Sequence, residues 1–338
     1  MITLGENHIF MKIAVFSTCS YDKDFLELLN TGHELSYFTE TLNLQNVLLT
    51  KGFDALCIFV NDKADAEILP KLAENGIKLI LLRCAGFNNV NLEVAGELGI
   101  KVLHVPAYSP EAVAEHAMAM ILTLNRKIHK AYNRVREGNF SLENLMGFNM
   151  LGCKVALIGT GNIGKAFYRI LKGFGCQVSA FDPSPDAELQ SEGLKYENLK
   201  DVLNDAEIVS LHCPLNEDTF HMINAITLKL FKKGAMLINT SRGGLIATAD
   251  VIDALKSGQL GYLGLDVYEQ ESKLFFKDLS ANIIQDDLIS RLISFPNVLI
   301  TAHQGFFTKE AMSQIAAVTF SNADNFCKGL PMNNELLN

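Results

Sequence analysis

The sequence lacks three features that would each point to a whole class of proteins. It has no basic excess, since its formal net charge is -9 at pH 7, whereas a nucleic-acid-binding protein needs a basic face to neutralise phosphates. No stretch comes near the roughly 20 apolar residues of a membrane-spanning helix. Residues 1–10 have neither the basic start nor the apolar core of a signal peptide. We therefore expect no nucleic-acid or membrane partner. We also expect no metal. Because the first predicted strand begins at Lys12, we expect no structural role for residues 1–10.

Cysteine is present, but without a pairing pattern. The number is odd, no CxxC pair occurs, and most of the cysteines lie within apolar runs. They are Cys19, Cys57, Cys84, Cys153, Cys176, Cys213 and Cys327. Reduced, buried thiols explain this pattern better than a disulfide framework does, which predicts a cytoplasmic protein.

Apolar runs of strand length alternate with helical patterns along nearly the whole chain. One series runs from Lys12 to Val105, and a second runs from Lys154 to Thr301. Continuous apolar strands separated by helices predict parallel sheets that are covered on both faces. A chain of 338 residues favours two domains. The sequence therefore predicts an α/β fold with two doubly wound parallel-sheet domains.

The segment between the two series predicts a long buried helix. Ser109 suits the N-cap and Pro110 the first helical position, and the following AVAEHAMAMILTL is apolar nearly all round. Its polar continuation, NRKIHKAYNRVREGNF, is long enough to reach a second subunit. We therefore expect a homodimer.

The position of a glycine-rich motif decides the domain plan. GTGNIG begins at Gly159, so a complete α/β series already precedes it, and only one helical pattern follows the second series. One helix cannot form a core of its own, so it should return to the first domain. We predict a substrate domain of residues 11–107 and 304–338, with residues 108–303 inserted as the nucleotide domain.

The GTGNIG motif follows an apolar strand and opens a helix, which is the full context of a dinucleotide-binding turn. Gly159, Gly161 and Gly164 would provide a tight turn, close approach of a pyrophosphate, and close helix–strand packing. The next strand ends in Asp182, which suits a ribose diol, and the following PSPD holds no cation for a 2′-phosphate. The motif favours NAD over NADP. An ordinary glycine turn in a βα unit is the simpler alternative.

Three charged or titratable residues each follow a later predicted strand. They are Arg242 in NTSRGG, Glu271 in LDVYEQE and His303 in TAHQGFF. Hydride transfer to a 2-oxo acid needs a cation for the carboxylate and a proton for the carbonyl oxygen, which an arginine and a histidine can supply. Glu271 could orient the histidine ring and stabilise its protonated form. Taken singly, each residue also has a structural explanation, such as a loop hydrogen bond or a solvated charge.

These motifs resemble those of the D-isomer-specific 2-hydroxyacid dehydrogenases from Met11 onward. The resemblance rests on GTGNIG with Asp182, HCPL, INTSRGGLI, GLDVYEQE and TAHQGFF. It implies a flavodoxin-like substrate domain and an inserted Rossmann NAD-binding domain. It also implies Arg242 for substrate binding, His303 as proton donor, and Glu271 rather than Glu269 as partner of the histidine. Spacing alone does not separate the two glutamates.

The resemblance also implies contacts with the cofactor and the substrate. Besides the three glycines, NAD contacts would fall on Asn162, Ile163, Asp182, Cys213, Pro214, Thr219, Thr240, Ser241 and Asp266. Substrate contacts would fall on Ala85, Gly86 and Tyr108, with Phe306 or Phe307 as a pocket wall.

The front half, with AGFNNV and PAYSPEAVAEHA, resembles the branch of the family that interconverts pyruvate and D-lactate. This predicts reversible hydride transfer from NADH to C2 of pyruvate. Ala247 and Gly305 depart from the usual acidic residue and the common alanine, and Gly305 could widen the pocket. Two alternatives stay open: a family member acting on a larger 2-oxo acid, glyoxylate or phosphohydroxypyruvate, and a non-enzymatic NAD-sensing partner protein of the same fold.

Overall fold

The computed structural model describes residues 10–271 and 274–336. Its contacts divide the chain into two compact units. The first unit contains the described residues up to Ser109 and those from Phe307 onward, and the second unit is Pro110–Phe306. The sequence analysis placed its boundaries at residues 107/108 and 303/304, and those domain bounds stay a prediction. Except for Phe10, the expectation about residues 1–10 falls outside the described residues.

The first unit contains a five-stranded sheet with the order β2-β1-β3-β4-β5, in which every pair of neighbours is parallel. This is the flavodoxin-like order. The strands are β1 (Lys12–Val15), β2 (Glu34–Tyr37), β3 (Ala55–Ile58), β4 (Leu79–Leu82) and β5 (Lys101–His104), and the helices between them are α1 (Ser20–Leu29), α2 (Leu69–Glu74) and α3 (Leu92–Glu97).

The second unit contains a seven-stranded parallel sheet with the order β12-β11-β10-β9-β6-β7-β8. Its strands are β6 (Lys154–Ile158), β7 (Gln177–Phe181), β8 (Lys195–Tyr196), β9 (Ile208–Leu211), β10 (Ala235–Asn239), β11 (Leu260–Leu265) and β12 (Val298–Ile300). Its helices are α4 (Pro110–Arg126), α5 (Ile128–Arg136), α6 (Asn162–Gly173), α7 (Ala187–Ser191), α8 (Leu199–Asp205), α9 (Thr248–Ser257) and α10 (Asp287–Ser294). The strand order reverses at β6, as in a Rossmann fold, which confirms the predicted α/β class.

The last helix, α11 (Lys309–Lys328), belongs to the first unit. Its residues Ala316, Phe320 and Ala323 pack in one apolar cluster with residues of β1, β3 and β4. A second cluster covers the opposite face of the same sheet, so the sheet is buried on both sides. The second unit also has two clusters, one on each face, since neighbouring residues of β6 alternate between them.

The long helix is interrupted where its sequence pattern turns polar. α4 ends at Arg126, Lys127 has a left-handed backbone with φ of 52°, and α5 then starts at Ile128. No residue of α5 is buried. All seven cysteines are free thiols. In the part of the chain that the structure describes, no helix is both long and apolar enough to cross a membrane, and no three His, Cys, Asp or Glu side chains are grouped to hold a metal ion.

Candidate active site

The predicted reacting residues of the second unit lie at one edge of its sheet. Arg242 follows β10, Glu271 lies in the loop after β11, and His303 follows β12. These three strands are parallel neighbours in the sheet, so their carboxyl ends share one edge. That edge is where open α/β sheets bind ligands.

His303 and Glu271 form a hydrogen-bonded pair. His303 Nδ1 lies 3.1 Å from Glu271 Oε1, and the two side chains are 16% and 22% exposed. The backbone N–H of Tyr268 donates to the other carboxylate oxygen, Glu271 Oε2, at 3.1 Å. The rings of Phe276 and Phe306 lie 6.0 and 6.3 Å from the imidazole. Since Nδ1 faces Glu271, Nε2 is the ring nitrogen that can exchange a proton with a reactant.

The neighbouring glutamate, Glu269, has different partners. Its Oε1 lies 2.6 Å from His221 Nε2, and its Oε2 accepts a hydrogen bond from Thr248 Oγ1 at 2.9 Å. The geometry therefore pairs Glu271, and not Glu269, with His303. This distinction depends on the turn after β11, which spacing in the sequence does not define.

Arg242 stands at the start of a short 3-10 helix, Gly243–Leu245. Its Nη1 donates to the carbonyl of Ser241 at 2.8 Å. A Cβ at Gly243 would lie 2.1 Å from the carbonyl carbon of Tyr268, so the turn after β10 packs directly on the loop that leads to Glu271. Among the described residues no carboxylate forms an ion pair with Arg242, which leaves the guanidinium charge able to bind an anion.

Asp266 is a buried carboxylate, 1% exposed, beside the loop that carries His303. Its Oδ1 accepts from Thr301 Oγ1 at 2.6 Å and from the N–H of Gln304 at 2.9 Å, and its Oδ2 accepts from the N–H of Gly305 at 2.9 Å. His116 Nε2 lies 3.3 Å from Oδ1. Burial raises the pKa of Asp266, but the bonds from His116, Thr301 and Gly305 outweigh it and hold the pKa at about 2.

Gly305 also bears on the expected width of the pocket. A Cβ at this position would lie 2.9 Å from Asp266 Oδ2 and 3.4 Å from His116 Cδ2. The methyl group that the common alanine would add is therefore directed at Asp266 and His116.

The three glycines of the GTGNIG turn have distinct environments. Gly159 has φ of +94°, and a Cβ there would lie 2.6 Å from the backbone N of Cys213. A Cβ at Gly164 would lie 2.2 Å from the carbonyl oxygen of Gly159, whereas nothing lies within 4 Å of a Cβ at Gly161. Gly161 caps α6, whose first N–H groups lack partners within the helix. The open side of Gly161 therefore offers space and donors for a pyrophosphate.

Asp182 follows β7 and is held by the glycine turn. Its Oδ2 accepts from the backbone N–H of Thr160 at 2.7 Å and from Thr160 Oγ1 at 2.9 Å. Tyr196 OH donates to Thr160 Oγ1 at 3.0 Å. The sequence analysis missed Lys165 as a nearby cation, but its Nζ lies 2.5 Å from Asp186, which neutralises it. The carboxylates of this region disfavour a 2′-phosphate.

The other predicted cofactor residues line the turns after β9 and β10. Ser241 Oγ donates to the carbonyl of Cys213 at 2.6 Å, and Thr219 Oγ1 donates to the carbonyl of Pro214 at 2.7 Å. Burial raises the pKa of Cys213 to about 11, so this thiol packs rather than reacts. Thr240 Oγ1 is buried and has no hydrogen-bond partner among the described residues. An unpaired buried hydroxyl at the same edge of the sheet as the glycine turn fits a dinucleotide site.

Three of the predicted substrate contacts lie in the first unit. Ala85 and Gly86 follow β4, and Tyr108 follows β5, at the carboxyl end of that unit's own sheet. His104 Nδ1 donates to the Ala85 carbonyl at 3.1 Å, a contact the sequence analysis did not anticipate. Of the two candidate wall residues, Phe306 lies near His303 in the second unit, and Phe307, in the first unit, contacts the ring of Tyr21 at 4.7 Å.

Comparison with known proteins identifies the family of this chain. Residues 118–305 match the family model described as D-isomer specific 2-hydroxyacid dehydrogenase, NAD binding domain. The chain is 53% identical to 2-hydroxyacid dehydrogenase A of Aspergillus oryzae over 94% of its length and 92% of that protein. It is 49% identical to D-lactate dehydrogenase of Escherichia coli over 97% of its length and all of that protein (100%).

The structure of the pyruvate reductase of Chlamydomonas reinhardtii superposes with a TM-score of 0.91 at 43% identity and covers 96% of this chain and 98% of that one. These matches confirm the resemblance found in the sequence. The chain therefore belongs to the D-isomer-specific 2-hydroxyacid dehydrogenases, and it is an NAD-dependent oxidoreductase.

Proposed function

We propose that this chain is a D-lactate dehydrogenase that reduces pyruvate with NADH and, in reverse, oxidises D-lactate with NAD. One observation carries the proposal: His303 forms a hydrogen bond with Glu271 at one edge of the sheet. At the same edge Arg242 provides a cation that forms no ion pair with a carboxylate of the described residues. A 2-oxo acid presents one carboxylate and one carbonyl oxygen, which this set can bind and protonate. The relatives named for D-lactate and for pyruvate support the choice of substrate.

The residues of the second unit fit NAD. The turn from Gly159 to Gly164 and the first N–H groups of α6 would hold the pyrophosphate, and Asp182 would accept hydrogen bonds from the ribose hydroxyls. The remaining contacts are proposed for Asn162, Ile163, Cys213, Pro214, Thr219, Thr240, Ser241 and Asp266. NADH, when bound, supplies the hydride for carbon 2 of the substrate.

Each reacting residue has one proposed task. Arg242 binds the substrate carboxylate through two parallel N–H bonds and so fixes its orientation. His303 carries a proton on Nε2 and gives it to the oxygen of carbon 2 as the carbonyl becomes a hydroxyl. Glu271 accepts from Nδ1–H, which orients the ring and stabilises the protonated imidazole. In the reverse direction neutral His303 takes the hydroxyl proton from D-lactate.

The test of this function is NADH consumption by the purified chain. Pyruvate is offered beside oxaloacetate, phenylpyruvate, glyoxylate and phosphohydroxypyruvate, and a chiral assay assigns the product. We expect fastest turnover of pyruvate, with D-lactate as the product. Preference for a bulkier acid would assign the chain a different substrate of the same family. The first residues to mutate would then be the proposed substrate contacts, Ala85, Gly86, Tyr108 and Phe306. Tight NADH binding without turnover of any 2-oxo acid would refute the enzymatic proposal and favour an NAD-sensing protein.

We also propose that two copies associate through the segment 128–151. Large apolar side chains of this segment are exposed, among them Tyr132, Leu142 and Met146, the last at 88%. The segment is nevertheless held in place: Asn125, which is buried, bonds to both the N–H and the carbonyl of Phe148. A fixed apolar surface of this kind is typical of an interface.

Sedimentation equilibrium tests the dimer. Met146→Glu should shift the chain toward monomer, whereas Ile226→Glu, at a position also exposed (76%) but outside this segment, should not. A wild-type monomer at micromolar concentration would refute the proposal. Cytoplasmic location is proposed as well, because all seven thiols are unpaired.

A further inference from the structure

Three successive backbone N–H groups converge on one residue at the proposed proton donor. The N–H of His303 donates to the Asp266 carbonyl at 2.7 Å, that of Gln304 donates to Asp266 Oδ1 at 2.9 Å, and that of Gly305 donates to Asp266 Oδ2 at 2.9 Å. Asp266 therefore fixes the backbone of His303 and of the two residues that follow it.

This fixation matters because His303 has an unusual backbone. Its φ is 54°, in the left-handed region, which residues with a Cβ seldom adopt outside constrained sites. Such a conformation persists only where surrounding contacts determine it. The bonds to Asp266 supply those contacts, so the direction of the His303 ring depends on the position of the Asp266 carboxylate.

The Asp266 carboxylate is in turn held from a different element. Thr301 Oγ1 donates to its Oδ1 at 2.6 Å. His116, on α4, places Nε2 at 3.1 Å from Thr301 Oγ1 and at 3.3 Å from Asp266 Oδ1. The His116 side chain is 16% exposed. A carboxyl torsion is broad, so a donor that fixes one oxygen also fixes the direction of the other.

We infer that His116 is a positioning residue for the reaction: through Thr301 and Asp266 it holds the backbone that carries His303. The inference rests on the proposed role of His303 as the proton donor. His116 lies outside the residues to which the family motifs assign a task, and it reaches the reacting group only through this chain of hydrogen bonds.

The test compares His116→Leu with His116→Gln in the full chain. Leucine removes the donor, whereas the glutamine amide nitrogen can occupy nearly the position of the imidazole Nε2. We expect His116→Leu to lower kcat about tenfold, which is the lower end of the effect of losing one hydrogen bond to a charged group. We expect the KM for pyruvate to change little. The Kd for NADH, measured by fluorescence, and Tm should change less than kcat does, because Asp266 keeps its bonds from Thr301 and Gly305. His116→Gln should restore most of kcat.

Several results would overturn the inference. They are an unchanged kcat in His116→Leu, a parallel loss of NADH binding and Tm, or an equal loss of kcat in His116→Gln. If His116→Leu does not fold, Thr301→Val removes a donor to the same carboxylate and should lower kcat in the same selective way; a normal kcat in that variant would also overturn the inference.

Failure of the proposed function is a separate outcome. It would appear as absence of pyruvate turnover in the wild type, or as a near-normal rate in His303→Gln. If instead His303→Gln is severely slowed, the double variant with His116→Leu should be no slower than His303→Gln alone. That result would mean that the two residues act on one step, as inferred.

Discussion

The pair of His303 and Glu271 permits a quantitative prediction for Glu271→Gln. The two charged groups, 3.1 Å apart, would attract by about 5 kcal/mol at an effective dielectric constant of 20, which is an upper limit before the cost of desolvation. A hydrogen bond to a charged group contributes about 1.5–3 kcal/mol and a neutral one about 0.5–1.5 kcal/mol. Replacing the carboxylate by an amide should therefore cost about 1–2 kcal/mol, or roughly 5- to 30-fold in kcat.

The contacts of Glu271 place the loss at the upper end of this range. Its Oε2 accepts from the N–H of Tyr268, so an amide whose oxygen faces His303 would turn its NH2 toward another donor. The assay is steady-state pyruvate reduction at saturating NADH. The Kd for NADH should not change.

Glu269→Gln is the matched control, since Glu269 binds His221 and Thr248 instead. It should keep a rate near that of the wild type. Adding Glu271→Gln to His303→Gln should cost little more, because the glutamate acts through the histidine. The same fold loss in both backgrounds, or equal losses in the two glutamate variants, would refute the assignment.

Other predictions follow from the same contacts. Arg242→Lys should raise the KM for pyruvate and lower kcat/KM about 100-fold, because an ammonium lacks the two-pronged contact; an unchanged KM would contradict this role. Asp182→Asn should weaken NADH binding about tenfold in fluorescence titrations and reduce the preference over NADPH, whereas Tyr196→Phe should do less because the carboxylate remains. The pKa of Asp266 is held at about 2, below the ordinary 3.8. Because it is lowered, its carboxylate should contribute about 2 kcal/mol of stability above pH 4 that is lost as the pH falls toward 2. Urea unfolding should show the difference between wild type and Asp266→Asn shrinking over that interval, and a constant difference would contradict it.

Local patterns in the sequence were sufficient for most of the fold. The apolar runs identified every strand of the first unit and six of the second, because a buried parallel strand is apolar throughout. They missed β8, whose two residues, Lys195 and Tyr196, are a strand only because they pair with β7. They also missed the left-handed residue Lys127 that ends α4, since a lysine gives no local signal for such a conformation.

The candidate site was predictable in its residue types but not in its hydrogen bonds. Arg242, Glu271 and His303 could be placed at strand ends because a parallel sheet brings those ends to one edge. Which glutamate faces the histidine depends on the turn that bonds Tyr268 N–H to Glu271. His116 lies on α4 and Asp266 follows β11, 150 positions later in the sequence. No local sequence pattern predicts a contact between residues so far apart.

The division of the first unit between the two ends of the chain sets an order of events during synthesis. Strands β1 to β5 leave the ribosome first, but α11, which contributes Phe320 to their apolar cluster, follows only after the second unit. At about 5–20 residues per second, roughly 200 intervening residues take about 10 to 40 seconds. For that time one face of the nascent sheet lacks this helix, and we expect its exposed apolar residues to be bound by a chaperone.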